Sequence, residues 1–192
     1  MQLMGHSMHQ VVLDEISRDA SPYVRRFAMK IIAAANKQPI LDVACGGGRN
    51  AMLMARLGVT VVCMDKTLDF FNANILRQHK NLGKYSRQLV SKKIDLLNNK
   101  WPFRPKSLGG IICIHFYSAM LLPYFATSLI PGSYFLLETV PGNGGNYLEL
   151  PQKGDLKTLL SSAFDFDFYK EKNVGPSGQA AVVVKLLARR KM

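Results

Sequence analysis

The feature that most constrains this chain is the segment Ile40-Leu41-Asp42-Val43-Ala44-Cys45-Gly46-Gly47-Gly48-Arg49-Asn50, a short apolar run that breaks into three consecutive glycines. It reads as a strand, a glycine-rich turn and the start of a helix. In an open parallel sheet such a turn lies at the carboxyl end of a strand, where ligands bind near the switch in strand order. Glycines let the backbone approach a ligand closely, and the free amides at a helix start favour a carboxylate. From Pro39 onward, short apolar runs alternate with helix-like segments. Strands are expected at Ile40 to Ala44, Thr60 to Met64, Gln88 to Ile94, Gly110 to Phe116, Ser133 to Glu138, Phe164 to Tyr169 and Ala180 to Ala188. Helices are expected near Arg49 to Leu57, Leu68 to His79, Ala119 to Ser128 and Gly154 to Ala163. Parallel neighbours need covering helices with right-handed crossovers, so this alternation implies a doubly wound α/β sheet. The last two runs are joined by Lys170 to Gln179, which contains Gly175-Pro176-Ser177-Gly178 and no helical pattern, and so form an antiparallel hairpin.

Upstream, His9 to Ala35 has apolar residues at helical spacing, broken at Ser21-Pro22, and reads as two short helices. With 192 residues the chain accommodates one α/β domain, here residues 1–192, with 1–36 as an amino-terminal helical lid segment and 37–192 as the core. No apolar run approaches the roughly 18 to 20 residues of a membrane span, and the amino terminus lacks the pattern of a secretory signal. A cytoplasmic protein with no membrane partner is expected. Cys45, Cys63 and Cys113 lie in or beside apolar runs without metal-binding spacing, so no metal site is expected.

Lysine and arginine number 25 against 13 acids, a net charge of +12. Ten of these cations, with only Asp69 and Asp95 as acids, fall between Lys66 and Lys106, whereas Ser107 to Gln152 has none. The band fits a solvated basic face or a polyanion contact.

Two further acids follow the glycine turn. Val61-Val62-Cys63-Met64-Asp65 is a strand ending in an acid about 20 residues beyond the glycines, placed to accept both hydroxyls of a ribose. The same Asp65 also suits the cap of the helix after it. Ile94-Asp95-Leu96 ends the next strand, where Asp95 can accept an adenine amino group and Leu96 supply an amide, or Asp95 can simply serve a turn. Gly46, Gly48 and Ala51 also satisfy the dinucleotide pattern G-x-G-x-x-A. Against a nicotinamide dinucleotide stand Asp42 where apolar residues are preferred, the third acid, and the terminal hairpin.

These residues carry a resemblance. LDVACGGGRN, VVCMDK, IDLLNNKWPF and IPGSYFLLET resemble, in order and spacing, the class I S-adenosylmethionine-dependent methyltransferases. SPYVRRFA, ACGGGRNAMLMARLGVTVVCMD and LLETVPGNGGNYLELPQKGDL are similar, more narrowly, to the small bacterial tellurite-resistance and thiopurine-type enzymes. The resemblance implies a Rossmann-like methyltransferase fold: a seven-stranded, mostly parallel sheet with an antiparallel carboxyl-terminal hairpin and helices on both faces. It implies S-adenosyl-L-methionine as donor and S-adenosyl-L-homocysteine as product. By the same resemblance Asp42, Ala44, Cys45, Gly46 and Gly48 line the methionine and ribose, Asp65 takes the ribose hydroxyls, and Asp95 with Leu96 takes adenine. Gly47, Asn50, Lys66 and His115 complete the candidate donor-binding set. Two departures are Ala44, where glycine is common, and Gly109-Gly110, where Phe-Asp is common; the latter is expected to loosen the start of the fourth strand.

Methyl transfer is an in-line displacement at a sulfonium carbon, so alignment and exclusion of water carry most of the catalysis. His115 is the candidate general base for an acceptor that bears a proton, and equally fits packing against the donor. Phe116, Tyr117, Glu138, Asn143, Tyr147 and Tyr23 are candidate acceptor contacts. The glycine-rich loop Pro141 to Tyr147, with Tyr23 and Arg25, is a candidate lid. The run His115-Phe116-Tyr117-Ser118 lacks the Asp/Asn-Pro-Pro-aromatic pattern of exocyclic amine methylation, a cysteine nucleophile, and the oxygen ligands of a magnesium site. A small-molecule acceptor is therefore favoured. An RNA acceptor docked on the 66–106 band ranks second, ahead of a dinucleotide oxidoreductase or a non-catalytic donor-binding protein.

Overall fold

The computed structural model describes residues 19–140, 149–174 and 180–192. Helix α1 (Pro22–Ala34) opens on the expected break. Ser21 caps it, accepting the amide proton of Tyr23 at 3.2 Å, and Pro22 fills the first turn, where its missing N–H is no loss. The helix expected before Ser21 lies outside the described residues. Next come β1 (Ile40–Val43), α2 (Arg49–Arg56), β2 (Val61–Asp65), α3 (Asp69–Leu82), β3 (Leu89–Lys93) and β4 (Leu108–Ile114). The chain continues through α4 (Leu122–Ser128), β5 (Leu129–Glu138), α5 (Asp155–Leu160), β6 (Phe164–Asn173) and β7 (Val182–Arg190).

All seven strands form one sheet in the order β3-β2-β1-β4-β5-β7-β6. The pairs along β3, β2, β1, β4 and β5 are parallel, while β7 runs against both β5 and β6. Six strands thus point one way and β7 the other. The order reverses between β1 and β4, which opens a crevice beyond their carboxyl ends.

Each face of the sheet has its own core. On one side Val24, Ala28 and Ile31 of α1, Leu53 and Met54 of α2 and Phe71 of α3 pack on Ile40, Val61, Ile112 and Leu136. On the other, Leu122 and Phe125 of α4 and Leu156 and Leu160 of α5 cover Leu41, Ile111, Phe135 and Leu186. Alternate strand residues serve opposite faces, as a sheet covered on both sides requires. Among the described residues, no helix is long and apolar enough to cross a membrane.

The boundaries differ from the sequence reading where tertiary pairing overrides local pattern. β5 starts at Leu129, not Ser133, because Leu129 pairs with Leu108 across a register shift that takes in Pro131 and Gly132. Ala119 to Ser128 divides into a 3₁₀ turn, Ala119–Leu121, and α4, with Pro123 in its first turn. β6 runs on to Asn173 because β7 pairs along its whole length. The turn of that hairpin, residues 175–179, lies outside the described residues.

Gly109 and Gly110 have a steric explanation. A Cβ on Gly109 would lie 2.4 Å from the carbonyl oxygen of Ala35, and one on Gly110 would lie 2.9 Å from Ile31 Cγ2. The bare backbone of β4 lets the end of α1 lie directly on the sheet. The register irregularity at Leu108/Gly110 sits at the same place. Gly109→Ala is expected to destabilise the protein by about 1–3 kcal/mol in urea unfolding, since the clash is with backbone and not with a movable side chain.

Candidate donor and acceptor site

The chain leaves β1 through a bend that visits the left-handed region three times, at Ala44 (φ 51), Gly46 (φ 53) and Gly48 (φ 74). Ala44 bears a cost of roughly 1–2 kcal/mol there that glycine would avoid. Two carboxylates hold the bend. Asp65, at the end of β2, accepts the Gly46 amide at 2.8 Å and, through its other oxygen, the Thr67 amide at 3.1 Å. Asp42 accepts the Ala51 amide at 3.1 Å. Gly48 is the cap residue of α2 and has no side chain to offer, so Asp42 supplies the missing acceptor from the strand beneath.

Helix α3 closes the bend from outside. Asn74 donates to the Gly47 carbonyl at 3.1 Å, and a Cβ on Gly48 would lie 2.6 Å from the ring of Phe71. Gly47 is also in contact with Phe70. These glycines thus serve close packing of a helix as well as access for a ligand.

Two cavities adjoin at Ala44 and Phe116. One, of about 270 Å³, is lined by Ala44, Asp65, Lys66, Asp95, Leu96 and Phe116, among others. The second, of about 410 Å³, runs from the glycine bend to the end of β4, with Cys45, Gly46, Gly47, Arg49, Asn50 and His115 in its wall. The structure therefore gathers Ala44, Cys45, Gly46, Gly47, Asn50, Asp65, Lys66, Asp95, Leu96, His115 and Phe116 around two cavities that share Ala44 and Phe116 in their walls. Asp42, only 1% exposed, and Gly48 stand behind them and shape them. Asp95 also organises its own turn, accepting from the Leu97 amide at 3.0 Å and Asn98 Nδ2 at 2.8 Å. Those bonds, that of Asn98 foremost, hold its carboxyl below the usual range.

At the end of β4, His115 has φ 64, and its amide donates to the Glu138 carbonyl at 2.7 Å. Its Nδ1 lies 3.5 Å from Arg49 Nη2, and its Nε2 lies 3.9 Å from Glu138 Oε2. Burial holds its pKa below the ordinary imidazole value; Glu138 opposes that shift, and Arg49 and Lys185 reinforce it. Glu138 is buried and doubly engaged, by Lys185 Nζ at 2.6 Å and by Ser21 Oγ at 2.9 Å. Ser21 N in turn donates to Asn50 Oδ1 at 2.9 Å, so the start of α1, the start of α2 and the end of β5 are tied together.

Tyr23 packs on Phe27 and Phe168 beneath Lys185, Tyr117 is half-buried, and neither they nor Glu138 line the two cavities. Arg25 is partly exposed on α1. Asn143, Tyr147 and the loop Pro141 to Tyr147 lie outside the described residues. The sequence reading missed Arg49, Phe70, Asn74, Ser21 and Lys185. Of these, Arg49 alone carried a signal, its position directly after the glycines.

Burial pushes the Asp42 carboxyl up to about 7, against the opposing effects of the Ala51 amide and Arg49 and with a contribution from Asp65. The folded chain thus holds this proton more tightly than the unfolded one. Its stabilising effect is complete below about pH 4 and is lost as pH rises to about 7. Asp42→Asn keeps an acceptor for Ala51 but cannot ionise. Its unfolding free energy relative to the native sequence is expected to rise by roughly 1–4 kcal/mol over that window in urea titrations.

No protein-family model matches the chain, and no curated protein matches it in sequence. Solved structures do match. TehB from Haemophilus influenzae superposes with a TM-score of 0.65 at 16% identity, over 91% of this chain and 64% of that one. Magnesium protoporphyrin IX methyltransferase from Synechocystis PCC 6803, solved with S-adenosylhomocysteine, gives 0.62 at 16% identity over 95% and 83%. The tRNA (m1A58) methyltransferase TrmI from Aquifex aeolicus gives 0.60 at 15% over 94% and 76%. Likeness at these identities is likeness of architecture, and it agrees with the reversed β7 and the crevice at the β1/β4 switch. The chain has the Rossmann-like fold of the class I S-adenosylmethionine-dependent methyltransferases.

Proposed function

We propose that this protein is an S-adenosylmethionine-dependent methyltransferase with a small-molecule acceptor. The observation that carries the reading is the pair of adjoining cavities at which a left-handed glycine bend, Asp65 and the Asp95–Leu96 turn meet at the ends of adjacent strands. Its donor set suits the ligand. The Asp65 oxygens each accept one backbone amide and retain lone-pair capacity for two adjacent ribose hydroxyls. Asp95 and Leu96 line the same cavity, beyond the end of the neighbouring strand β3. Arg49 and the amides of the α2 start offer positive charge to an amino-acid carboxylate in the second cavity. When bound, the donor supplies a methyl group on a sulfonium, which leaves as the thioether. Around it, Phe116 spans both cavities and excludes water, and His115 faces the acceptor space.

The acceptor does not follow from the fold, since similar structures include methyltransferases of tRNA, magnesium protoporphyrin IX and geranyl diphosphate. Small-molecule chemistry is supported by the absence of lysine and arginine from Ser107 to Gln152. Arg49 and Lys185 reach the acceptor side from other elements, but Lys185 is paired with Glu138. Two cations, one already neutralised, make a poor phosphate-tracking surface. The basic band instead begins at Lys66, in the wall of the first cavity, and continues through α3, β3 and the loop beyond.

Calorimetric titration with S-adenosylhomocysteine should give saturable binding, and no heat at high-micromolar ligand would end the proposal. Asp65→Ala should weaken that binding by roughly 1.5–3 kcal/mol, about ten- to 150-fold, because the charged acceptor and the Gly46 anchor go together. Fluorescence titration with NADH or NADPH should be flat, in keeping with a strand order that inserts β7 between β5 and β6. The RNA reading predicts retention that falls steeply with salt; a flat response is expected here.

A further inference from the structure

We propose that the acceptor carries an anionic group, a carboxylate or phosphate, and that Lys170 and Lys172 on the β6–β7 hairpin are its seat. The inference rests on the methyltransferase reading and names the substrate class. Strand registers locate the seat. His115 N donates to Glu138 O, Glu138 lies opposite Lys185, and Lys185 lies opposite Lys170. One row therefore crosses β4, β5, β7 and β6 along the edge of the sheet where the cavities lie. Three strand spacings of about 4.8 Å put Lys170 roughly 14 Å from His115, which sets the span of the acceptor.

The side chains of the row share the face that carries α1. Glu138 accepts from Ser21 at the start of that helix, and Lys185 Nζ lies 4.3 Å from the centroid of the Tyr23 ring. Phe168 packs on Tyr23 and Phe27 of α1. Side chains alternate along a strand, so Lys170 and Lys172 follow Phe168 on the same face, and both are exposed. Glu171, between them in sequence, turns to the other side, where it accepts from Tyr169 and from the Gly154 amide.

This cluster of charge lacks its counterpart. Lys170 and Lys185 are like charges directly opposed in an antiparallel pair, an arrangement that costs stability. Glu138 relieves only Lys185, which it meets at 2.6 Å. Asp167, the other flanking acid, is engaged by Lys30 at 2.6 Å and by the Tyr134 hydroxyl at 2.9 Å. Among the described residues, no carboxylate lies within salt-bridge distance of Lys170 or Lys172. Arg26, over the rings of Phe27 at 4.9 Å and Phe168 at 5.3 Å, adds a further cation on the same face. An anion between the two ammonium groups does for Lys170 what Glu138 does for Lys185. So small a group of cations suits one carboxylate or phosphate, whereas a nucleic acid held through on the order of six to ten phosphates needs a longer track. The seat stands clear of both cavity walls and can fill while the donor is bound.

Backbone amide spectra of the nitrogen-15-labelled full chain test the seat, with inorganic pyrophosphate and, separately, succinate added at constant ionic strength. Saturable shifts at Lys170, Lys172 and Lys185 are expected with at least one of them, and the tighter ligand tells phosphate from carboxylate. Lys170→Gln/Lys172→Gln should weaken that binding by about tenfold or more, since charged partners are lost. Lys92→Gln/Lys93→Gln, which removes the same charge from β3, should leave it within about twofold. Saturating S-adenosylhomocysteine should leave the anion in place, because the anchor of an acceptor fills together with the donor. No saturable shift with either anion, equal weakening in the two double variants, or displacement by S-adenosylhomocysteine overturns the proposal. The affinity for S-adenosylhomocysteine separates the two ideas. No binding by the native chain sinks the methyltransferase reading, whereas normal binding with unmoved hairpin signals sinks the anion seat alone.

Discussion

The bend after β1 is where the sheet becomes a site, and it exists because two carboxylates from neighbouring strands hold it. Asp65 takes the Gly46 amide and Asp42 the Ala51 amide, in a stretch where Ala44 bears backbone strain and Gly48 cannot cap its own helix. Removing the Asp65 contact would leave the Gly46 amide of the bend without this partner, and removing the Asp42 contact would do the same to the Ala51 amide in the first turn of α2. The two acids are nevertheless unlike. Asp42 is sealed beneath the bend, where burial raises its proton affinity, whereas Asp65 reaches the crevice and can serve loop and ligand together. One supports the shape of the site and the other belongs to its surface.

That division explains which parts of the molecule were legible in the sequence. The change from strand to glycine to helix at Ile40–Asn50 is a local pattern, so β1, the bend and α2 could be read almost to the residue. Asp65 was legible for the same reason, ending a short apolar run, and Asp95 as the acid that follows the next expected strand. The opposite held for Gly109-Gly110. As a local pattern the pair promised a loose strand start, and its purpose is visible only against Ile31 and the cap residue Ala35 at the end of α1, distant in sequence. Glu138 shows the same limit. Its partners Ser21 and Lys185 lie on α1's cap and β7, a juxtaposition that only the inserted antiparallel strand creates.

The start of α1 joins the bend after β1 to the end of β5. Ser21 touches Asn50 at the foot of the bend with its amide and Glu138 with its hydroxyl, while Arg49 reaches the Asp19 carbonyl at 3.5 Å. The segment entering α1 is therefore fixed to both halves of the crevice. α1 itself is held by Val24, Ala28 and Ile31, all fully buried, so this part of the amino-terminal region is integral to one face of the sheet.

Charge follows the same separation of roles. A cationic donor needs nearby negative charge without a competing salt partner, and Asp65 has no cation within salt-bridge distance among the described residues. The second cavity has the positive field of Arg49 beside His115, whose proton affinity burial lowers. Glu138 does not cancel that field, because Lys185 neutralises it first. The methyl transfer proposed above, from a sulfonium to a developing anion, would run from the Asp65 end toward the Arg49 end of this charge arrangement, whose side chains come from different strands and helices along one sheet edge.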